Sequence, residues 1–348
     1  KTLQPYDTVF LFKEFEALYL PCLGILVLSR LTCKVTIFRR RILAFLALKD
    51  STNMITHSYL WLGVAIVQVT MLVHGAELCG LTPTPSCGGH DYSAVFRPAD
   101  HGIDFDNLPG YTRSAHYADH ALIAVESRVF AGQRGWKFAT TAHLVSSARG
   151  ANFAMYLVDM SDGSSAEPAK PSVERFVLVL QGEITVQHGG KDIQLGANSY
   201  VYFPPNSTDT LSSEDGAGLL VYERVYAAGG VPVFSRGDVE ESPLLPTAPE
   251  VFKLRKLLPQ TANYDFNVHI MDFQPGEYLW VKEVHYNQHG LLLLEGKGIY
   301  RLGDKWYPVQ AGDAIWMAPY VPQWYAALGT SPTRYVIYKD TTVDPLLG

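Results

Sequence analysis

The sequence predicts an all-β protein built from two tandem jelly-roll barrels. Three observations indicate this class: an internal repeat, a succession of short apolar segments of strand length, and Gly and Pro residues spread through the chain as turns require. Long amphipathic helices are not evident in the repeat region. Two units in series therefore predict two barrels.

The repeat consists of two copies that align on their glycines. The first copy, residues 175–192, reads RFVLVLQGEITVQHGGKD and continues as IQLGANSYVYFPP. The second copy, residues 289–305, reads HGLLLLEGKGIYRLGDK and continues as WYPVQAGDAIWMAP. Two pairs of glycines, separated by 114 and 116 residues, are Gly182/Gly296 and Gly196/Gly312. Each copy predicts an apolar strand, a glycine, a second strand, a tight turn and a third strand that ends near proline.

The repeat divides the chain into four parts. Residues 1–100 are an N-terminal extension, residues 101–233 a first barrel, residues 234–250 a linker rich in proline and acidic residues, and residues 251–348 a second barrel. A strand-rich stretch, Ala121–Asp159, is expected to begin the first barrel.

The extension contains an uncharged apolar run, LWLGVAIVQVTMLV, from Leu60 to Val73. This run has the length of a signal-peptide core and is short for a membrane span, so a signal peptide is predicted at about residues 54–76. A membrane anchor and mistranslated sequence are the alternatives. Cys79 and Cys87 follow the run, and a disulfide and two free thiols are equally compatible with them.

Charge and motifs exclude a nucleic-acid partner. The formal net charge is −6, so the chain offers no basic field, and it has no glycine loop of the phosphate-binding type.

The segment KEVHYNQHG, residues 282–290, predicts a metal site. If it is a β-strand, Glu283, His285 and His289 point to one face together with Asn287. A carboxylate and two imidazoles crowded together are costly unless they are compensated, and a divalent cation would compensate them. The alternative is a solvated strand with polar surface residues.

The spacing of these residues resembles the two motifs of the cupin superfamily. The chain has Glu283-x-His285-x(3)-His289-x(6)-Gly296 and then Gly312-x(10)-Gln323, where a typical cupin has His-x-His, Glu and a final His. This permuted set is similar to that of the plant (S)-ureidoglycine aminohydrolases. The resemblance also covers FKLRKLLP, YDFNVHIMDFQPGE and RYVIYKD, extends over about residues 100–345, and excludes residues 1–53.

The resemblance implies a metal quartet of Glu283, His285, His289 and Gln323. Two nitrogen and two oxygen donors without a thiolate suit Mn²⁺ or Fe²⁺ better than copper. The family implies Mn²⁺, whereas the ligand set alone permits other metals.

The resemblance also implies substrate contacts from four residues: Glu283, Gln323, Tyr335 and Lys339. The segment RYVIYK, residues 334–339, predicts a strand on which Tyr335 and Lys339 share a face. A lysine inside an apolar barrel needs an anionic partner, which a substrate carboxylate would supply. A surface strand with a snorkelling lysine is the alternative. No general base is assigned.

The first barrel serves as an internal control. The offset of 114 residues places Ala169, Pro171 and Arg175 at the positions that correspond to Glu283, His285 and His289. The offset of 116 residues places Ser207 at the position that corresponds to Gln323. The first three cannot ligate a metal through their side chains, so this barrel is predicted to be metal-free.

Three other histidines are interpreted as structural residues rather than as metal ligands. His116 and His120 have a spacing that would pair them on zinc only if they lay on a helix, and no third ligand is in view. His269 alternates with apolar residues and is expected to be a hydrogen-bonded core histidine rather than a fifth ligand.

Together these features predict an Mn²⁺-dependent hydrolase that converts (S)-ureidoglycine to (S)-ureidoglycolate and ammonia in purine catabolism. A storage or binding bicupin and a cupin dioxygenase are the alternatives. A homo-oligomer is expected, because barrel edges invite pairing. The family and the signal segment imply the lumen of the endoplasmic reticulum, and the sequon at Asn206 agrees with a secretory route.

Overall fold

The computed structural model describes residues 89–96 and 111–341. The predicted signal peptide at about 54–76, Cys79, Cys87 and most of the predicted extension lie outside the described residues. Within the described residues, no helix is long and apolar enough to cross a membrane.

Almost all regular structure in the described residues is β-strand, which confirms the predicted all-β class. The short helical elements are α1 (Ser93–Phe96) and two 3-10 helices, Val125–Ser127 and Ser147–Arg149. The first ten strands are β1 (Ala115–His116), β2 (His120–Ile123), β3 (Ala131–Gly132), β4 (Trp136–Val145), β5 (Ala154–Ala166), β6 (Val173–His188), β7 (Lys191–Gly196), β8 (Ser199–Phe203), β9 (Thr210–Val225) and β10 (Ser235–Asp238). The next nine are β11 (Leu244–Leu245), β12 (Lys253–Lys256), β13 (Phe266–Phe273), β14 (His289–Glu295), β15 (Lys297–Leu302), β16 (Lys305–Gln310), β17 (Ala314–Met317), β18 (Gln323–Leu328) and β19 (Thr333–Asp340).

The strands form three sheets. One has the order β10-β8-β6-β9-β5-β4-β3, with β7 paired to β6, and it encloses the first barrel. The second has the order β1-β2-β17-β14-β19-β13-β12-β11, and a third sheet, β16-β15-β18, closes the second barrel. All pairings described between these strands are antiparallel.

Alternate residues of the central strands fill different cores. On β14, Leu291 and Leu293 face the interior of the second barrel, whereas Leu292 and Leu294 belong to the core shared with the first barrel. The first-barrel strand β6 is likewise buried on both faces over Phe176–Leu180. Burial on both faces explains why these strands read as continuous apolar runs rather than as alternating patterns.

One pair of the predicted repeat glycines has equivalent conformations, Gly182 at a register shift within β6 and Gly296 at the bend between β14 and β15. Gly182 and Gly296 both have a positive φ, 70° and 75°, and a Cβ at either position would press against backbone atoms of a neighbouring strand. Only glycine tolerates this conformation and this close approach without strain.

Strand pairing differs from the simple division of the sequence at residues 233 and 251. Strands β1 and β2 precede the first barrel in sequence but extend the sheet of the second barrel, where β2 pairs with β17. Arg113 fixes this crossing segment through ion pairs to Asp313 at 2.6 Å and to Glu126 at 2.9 Å. Strand β10 of the predicted linker pairs with β8, whereas β11 pairs with β12. The linker segment is therefore attached to both barrels.

Candidate metal and substrate site

The residues predicted for the site, except His285, line a small cavity in the second barrel. The cavity has a volume of about 190 Å³. Its polar lining includes Glu283, His289, Tyr300, Gln323, Tyr335 and Lys339. Leu254, Met271 and Ile337 contribute to an apolar wall. A pocket with an apolar wall and a few convergent polar groups is typical of a small-molecule site.

The expected continuous strand over Glu283–His289 is wrong. Strand β14 begins only at His289, and Glu283 forms an isolated bridge with Gln323. The backbone N–H of each bridged residue donates to the carbonyl oxygen of the other at 2.9 Å. The intervening chain leaves the sheet, because the carbonyl oxygen of His285 accepts a hydrogen bond from the Tyr320 N–H at 2.8 Å.

Asn287, expected on the same face as the histidines, is instead held elsewhere. Its side-chain amide donates to the carbonyl oxygen of Asp340, and the Gln288 N–H approaches the Asp340 carboxylate at 3.4 Å. The loop thus passes from the small sheet to the large one, and its conformation rather than strand alternation brings the polar groups together.

His285 lies at the centre of the polar group. Its Nε2 atom lies 2.9 Å from Nε2 of Gln323, 3.3 Å from Nε2 of His289 and 3.6 Å from Oε2 of Glu283. The Nδ1 atom of His285 is buried without a hydrogen-bond partner. The four predicted ligands are therefore brought together through His285.

His289 has the protonation pattern of a metal ligand. Its Nδ1 donates to the carbonyl oxygen of Tyr338 at 3.1 Å, which leaves the lone pair on Nε2 directed toward His285. Burial lowers the pKa of His289 well below its usual value, and the charge of Lys339 adds to this effect. A neutral imidazole oriented through its second nitrogen is what a divalent ion requires.

Gln323 and Glu283 carry the oxygen atoms of the predicted ligand set. Oε1 of Gln323 accepts a hydrogen bond from the Tyr300 hydroxyl at 3.0 Å, and Nε2 lies 3.4 Å from Oε2 of Glu283. Rotation of the amide by 180° would exchange the positions of its oxygen and nitrogen. The Tyr300 hydroxyl would then accept a hydrogen bond from the nitrogen instead of donating one to the oxygen. The interaction with His285 lowers the pKa of Glu283, so this carboxylate is ionised at neutral pH.

The residue types of this donor set fit a divalent cation. Their side chains are not arranged as a coordination shell. Among the described residues, no three His, Cys, Asp or Glu side chains are gathered in a way that could hold an ion as they stand. Three nitrogen atoms, from Gln323, His285 and His289, nevertheless face one another at 2.9 and 3.3 Å beside a carboxylate. An ion accepting both imidazoles, the carboxylate and the amide oxygen would relieve this crowding.

Tyr335 and Lys339 reach the cavity from β19. Burial raises the pKa of Tyr335 well above its usual value, so the phenol remains a hydrogen-bond donor at neutral pH. Burial also lowers the pKa of Lys339, while the Glu283 carboxylate opposes this shift. Lys339 is half-buried and lines the cavity, and its contact with substrate stays a prediction.

Comparison with known proteins identifies the family. A cupin domain model matches residues 269–338, and an EutQ-like cupin domain model matches residues 148–216. A probable (S)-ureidoglycine aminohydrolase of Oryza sativa subsp. japonica is 50% identical over 78% of this chain and 91% of that protein. The (S)-ureidoglycine aminohydrolase of Arabidopsis thaliana is 51% identical over 69% of this chain and 82% of that protein.

The chain belongs to the (S)-ureidoglycine aminohydrolase family. The two domain matches confirm the predicted pair of cupin barrels. Among solved structures, the E. coli protein Ylba superposes with a TM-score of 0.61 at 27% identity, covering 70% of this chain and 99% of that chain. A Bacillus subtilis oxalate decarboxylase superposes with a TM-score of 0.51 at 12% identity, over 67% of this chain and 80% of that chain, which shows a shared fold alone.

In this member of the aminohydrolase family, the first-barrel residues that correspond to the proposed ligands of the second barrel have other partners. Arg175 forms an ion pair with Glu223 at 2.7 Å, donates to the Glu167 carbonyl oxygen at 2.9 Å and stacks over Trp136 at 5.6 Å. The Ser207 hydroxyl donates to Asp209 at 2.8 Å. Arg175 is a cation at the place where the second barrel has His289, which supports the prediction of a metal-free first barrel.

The other histidines occupy different settings. His116 and His120 lie on strands rather than on a helix, so the paired-zinc geometry does not arise. His120 is buried and interacts with the Tyr307 hydroxyl and with Asp119, both at 2.8 Å. His269 lines the site cavity.

Two polar residues that line the cavity were not singled out from the sequence. Tyr300 lies in the second strand of the repeat, IYRL, and Lys256 lies in the FKLRKLLP segment that carries part of the resemblance. Period-2 alternation could have placed both side chains on an inner face. Only the pairing register shows that this face belongs to the cavity.

Proposed function

We propose that this chain hydrolyses (S)-ureidoglycine to (S)-ureidoglycolate and ammonia with the help of bound Mn²⁺. The observation that carries the proposal is the convergence of Glu283, His289, Gln323, Tyr335 and Lys339 on one small cavity in a member of this family. The same barrel contributes every one of these side chains.

The size and charge of the cavity suit the substrate. Ureidoglycine is a small polar acid that bears an amino group and a ureido group on the carbon next to its carboxylate. A cavity of about 190 Å³ accommodates a molecule of this size but not a polymer. Lys339 is half-buried, and its ammonium group is stabilised by an anionic partner. The carboxylate of the substrate would be that partner.

Glu283, His285, His289 and Gln323 would hold the metal ion. Their mixture of nitrogen and oxygen donors, without sulfur, agrees with Mn²⁺. Once bound, the ion would supply Lewis-acid polarisation and a fixed positive charge near the reacting carbon.

The remaining side chains bind and orient the substrate. Lys339 would bind a substrate oxygen, and Tyr335, which keeps its proton at neutral pH, would donate a hydrogen bond to the ureido group or the carboxylate. The apolar wall of Leu254, Met271 and Ile337 limits the number of water molecules around these contacts. Exclusion of bulk water strengthens charged hydrogen bonds and holds the leaving amine in one orientation.

An ammonia-release assay tests this proposal. Purified protein loaded with Mn²⁺ should release ammonia from (S)-ureidoglycine and form ureidoglycolate in equal amount. A folded, manganese-loaded preparation that releases no ammonia would count decisively against it. Oxygen consumption in place of ammonia release would instead indicate a dioxygenase.

Location and assembly remain separate proposals. Residence in the endoplasmic reticulum is supported by the exposure of the Asn206 sequon on the surface of the first barrel. Glycosidase sensitivity of the protein isolated from its source would test this location. The expected homo-oligomer is testable by light scattering in solution.

A further inference from the structure

The site cavity adjoins a wider groove of the second barrel. The groove has a volume of about 740 Å³ and shares three lining residues with the cavity: Lys256, His269 and Lys339. The outer side of the groove includes the segment from Pro259 to Ala262. These three side chains therefore stand where the groove and the cavity meet.

The strand register explains their grouping. Lys256 of β12 lies directly opposite His269 of β13, and Lys339 of β19 lies directly opposite Asn267, two residues earlier on β13. Because side chains two residues apart share a face, the two lysines flank His269 from neighbouring strands. They form a cationic pair across the junction.

This pair lacks a matching negative charge. The Lys256 ammonium donates to the Gln260 amide oxygen at 2.5 Å, and the ion pairs formed among the described residues involve neither lysine. Two carboxylates line the cavity and the groove, and both have other partners. Glu283 faces His285 and Gln323, and Asp340 forms an ion pair with Arg224 at 2.8 Å. Burial, with both lysines contributing, lowers the pKa of His269 to about 3, so this ring is neutral.

We propose that Lys256 is a substrate-binding residue that, together with Lys339, captures the carboxylate of the substrate as it enters from the groove. This inference rests on the proposed function and adds a determinant of specificity to it. The lysine pair selects small α-ureido acids in their anionic form over neutral analogues of equal size. His269 separates the two ammonium groups without adding a charge.

Strand β12 provides a matched control. Lys253 lies on the same strand three residues earlier, is exposed to solvent, and has the opposite strand parity from Lys256. The variants Lys256→Met and Lys253→Met remove the same charge and keep a similar apolar stem. Only the first removes it from the junction.

Binding of two unreactive probes tests the inference without relying on turnover. Ureidoacetate lacks the amine that would leave, and its carboxamide has the same shape without the charge. Calorimetric titration of the Mn²⁺-loaded full chain should show ureidoacetate binding about tenfold or more weakly to Lys256→Met than to the wild type, because a charge-assisted hydrogen bond is lost. Binding of the carboxamide should be unchanged by this variant, and Lys253→Met should leave binding of both probes unchanged.

The alternative outcomes are distinct. Equal binding of ureidoacetate to the wild type and Lys256→Met would overturn the role of Lys256, as would a wild type that does not bind ureidoacetate. An equal loss of binding for the acid and the carboxamide would show a structural role instead. Failure of the proposed function would appear differently, as a wild type that binds ureidoacetate but releases no ammonia from ureidoglycine.

Discussion

Lys339 lies directly opposite His289 in the antiparallel pairing of β19 with β14. Both side chains point into the second barrel, since each shares strand parity with residues of the interior core, Ile337 on β19 and Leu291 on β14. An ammonium group is thereby fixed beside an imidazole that burial keeps neutral. This arrangement places the cation proposed to bind substrate one strand away from the proposed metal ligands.

Substitution of Lys339 should therefore weaken substrate binding more than folding. We expect Lys339→Met to reduce kcat/KM by about 10- to 100-fold, the range expected from loss of a hydrogen bond between charged groups. Steady-state ammonia release measures this effect. Lys297→Met, on the exposed end of β15, provides the control and should behave as the wild type. Similar kinetics for the two variants would contradict the role of Lys339.

Metal binding, and with it ammonia release, should depend on residues of the second barrel alone. Chelation should abolish ammonia release, and added Mn²⁺ should restore it. Gln323→Ala should lower the manganese content or the turnover, because it removes an oxygen donor, whereas Arg175→Ala should leave the metal content unchanged. Metal analysis of the purified variants decides between these outcomes. Full manganese retention and activity in Gln323→Ala would exclude this amide as a ligand.

The hydroxyl of Tyr300 should support metal binding without contacting the ion. Its hydrogen bond to Oε1 of Gln323, at 3.0 Å, fixes the amide in the cavity. Loss of such an outer contact typically weakens metal affinity by about 10- to 100-fold, and we expect Tyr300→Phe to fall in this range. Competition with a fluorescent chelator measures the affinity. Tyr278→Phe, at an exposed position, is the control. Unchanged affinity in Tyr300→Phe would show that the amide needs no such support.

The sequence predicted those features that depend on local chemistry. The glycines of the repeat were recognisable because a positive φ next to a neighbouring backbone excludes other residues, as at Gly182 and Gly296. The identities of the proposed ligands were also readable, because one carboxylate and two imidazoles, Glu283, His285 and His289, lie within seven residues just before an apolar run.

Features that depend on long-range pairing could not be predicted. The segment from Glu283 to His289 alternates like a strand, but it pairs only at its two ends, where Glu283 bridges to Gln323 and His289 begins β14. The placement of β2 beside β17 joins residues almost two hundred positions apart, and nothing in HALI indicates it. Lys256 resembles its neighbours Lys253 and Arg255 in sequence, and only the register with His269 distinguishes it.

Glu174 should make the free energy of unfolding depend on pH. This carboxyl group is fully buried beside the core shared by the two barrels, and one of its oxygens accepts a hydrogen bond from the Tyr202 hydroxyl at 2.5 Å. The other oxygen has no hydrogen-bond partner. Burial raises the pKa of Glu174 from 4.5 to about 8, with the nearby Asp265 carboxylate contributing.

The direction of the pH effect follows from proton binding. Between about pH 4.5 and pH 8 the folded protein holds a proton on Glu174 that the unfolded chain releases. The contribution of Glu174 to stability is therefore complete below pH 4.5 and is lost as the pH rises toward 8, at no more than about 1.4 kcal/mol per pH unit. Glu174→Gln carries a permanent neutral group of similar shape. Its free energy of unfolding should fall less steeply than that of the wild type between pH 5.5 and pH 8.

Urea unfolding at several pH values within this window measures the difference. Glu183→Gln removes an exposed carboxylate from the same strand, β6, and should reproduce the wild-type slope. Parallel curves for the wild type and Glu174→Gln would mean that Glu174 does not hold a proton in the folded state. A shallower slope confined to Glu174→Gln would instead locate the titrating group at the interface of the two barrels, because Glu183 differs from Glu174 only in its exposure and position along β6.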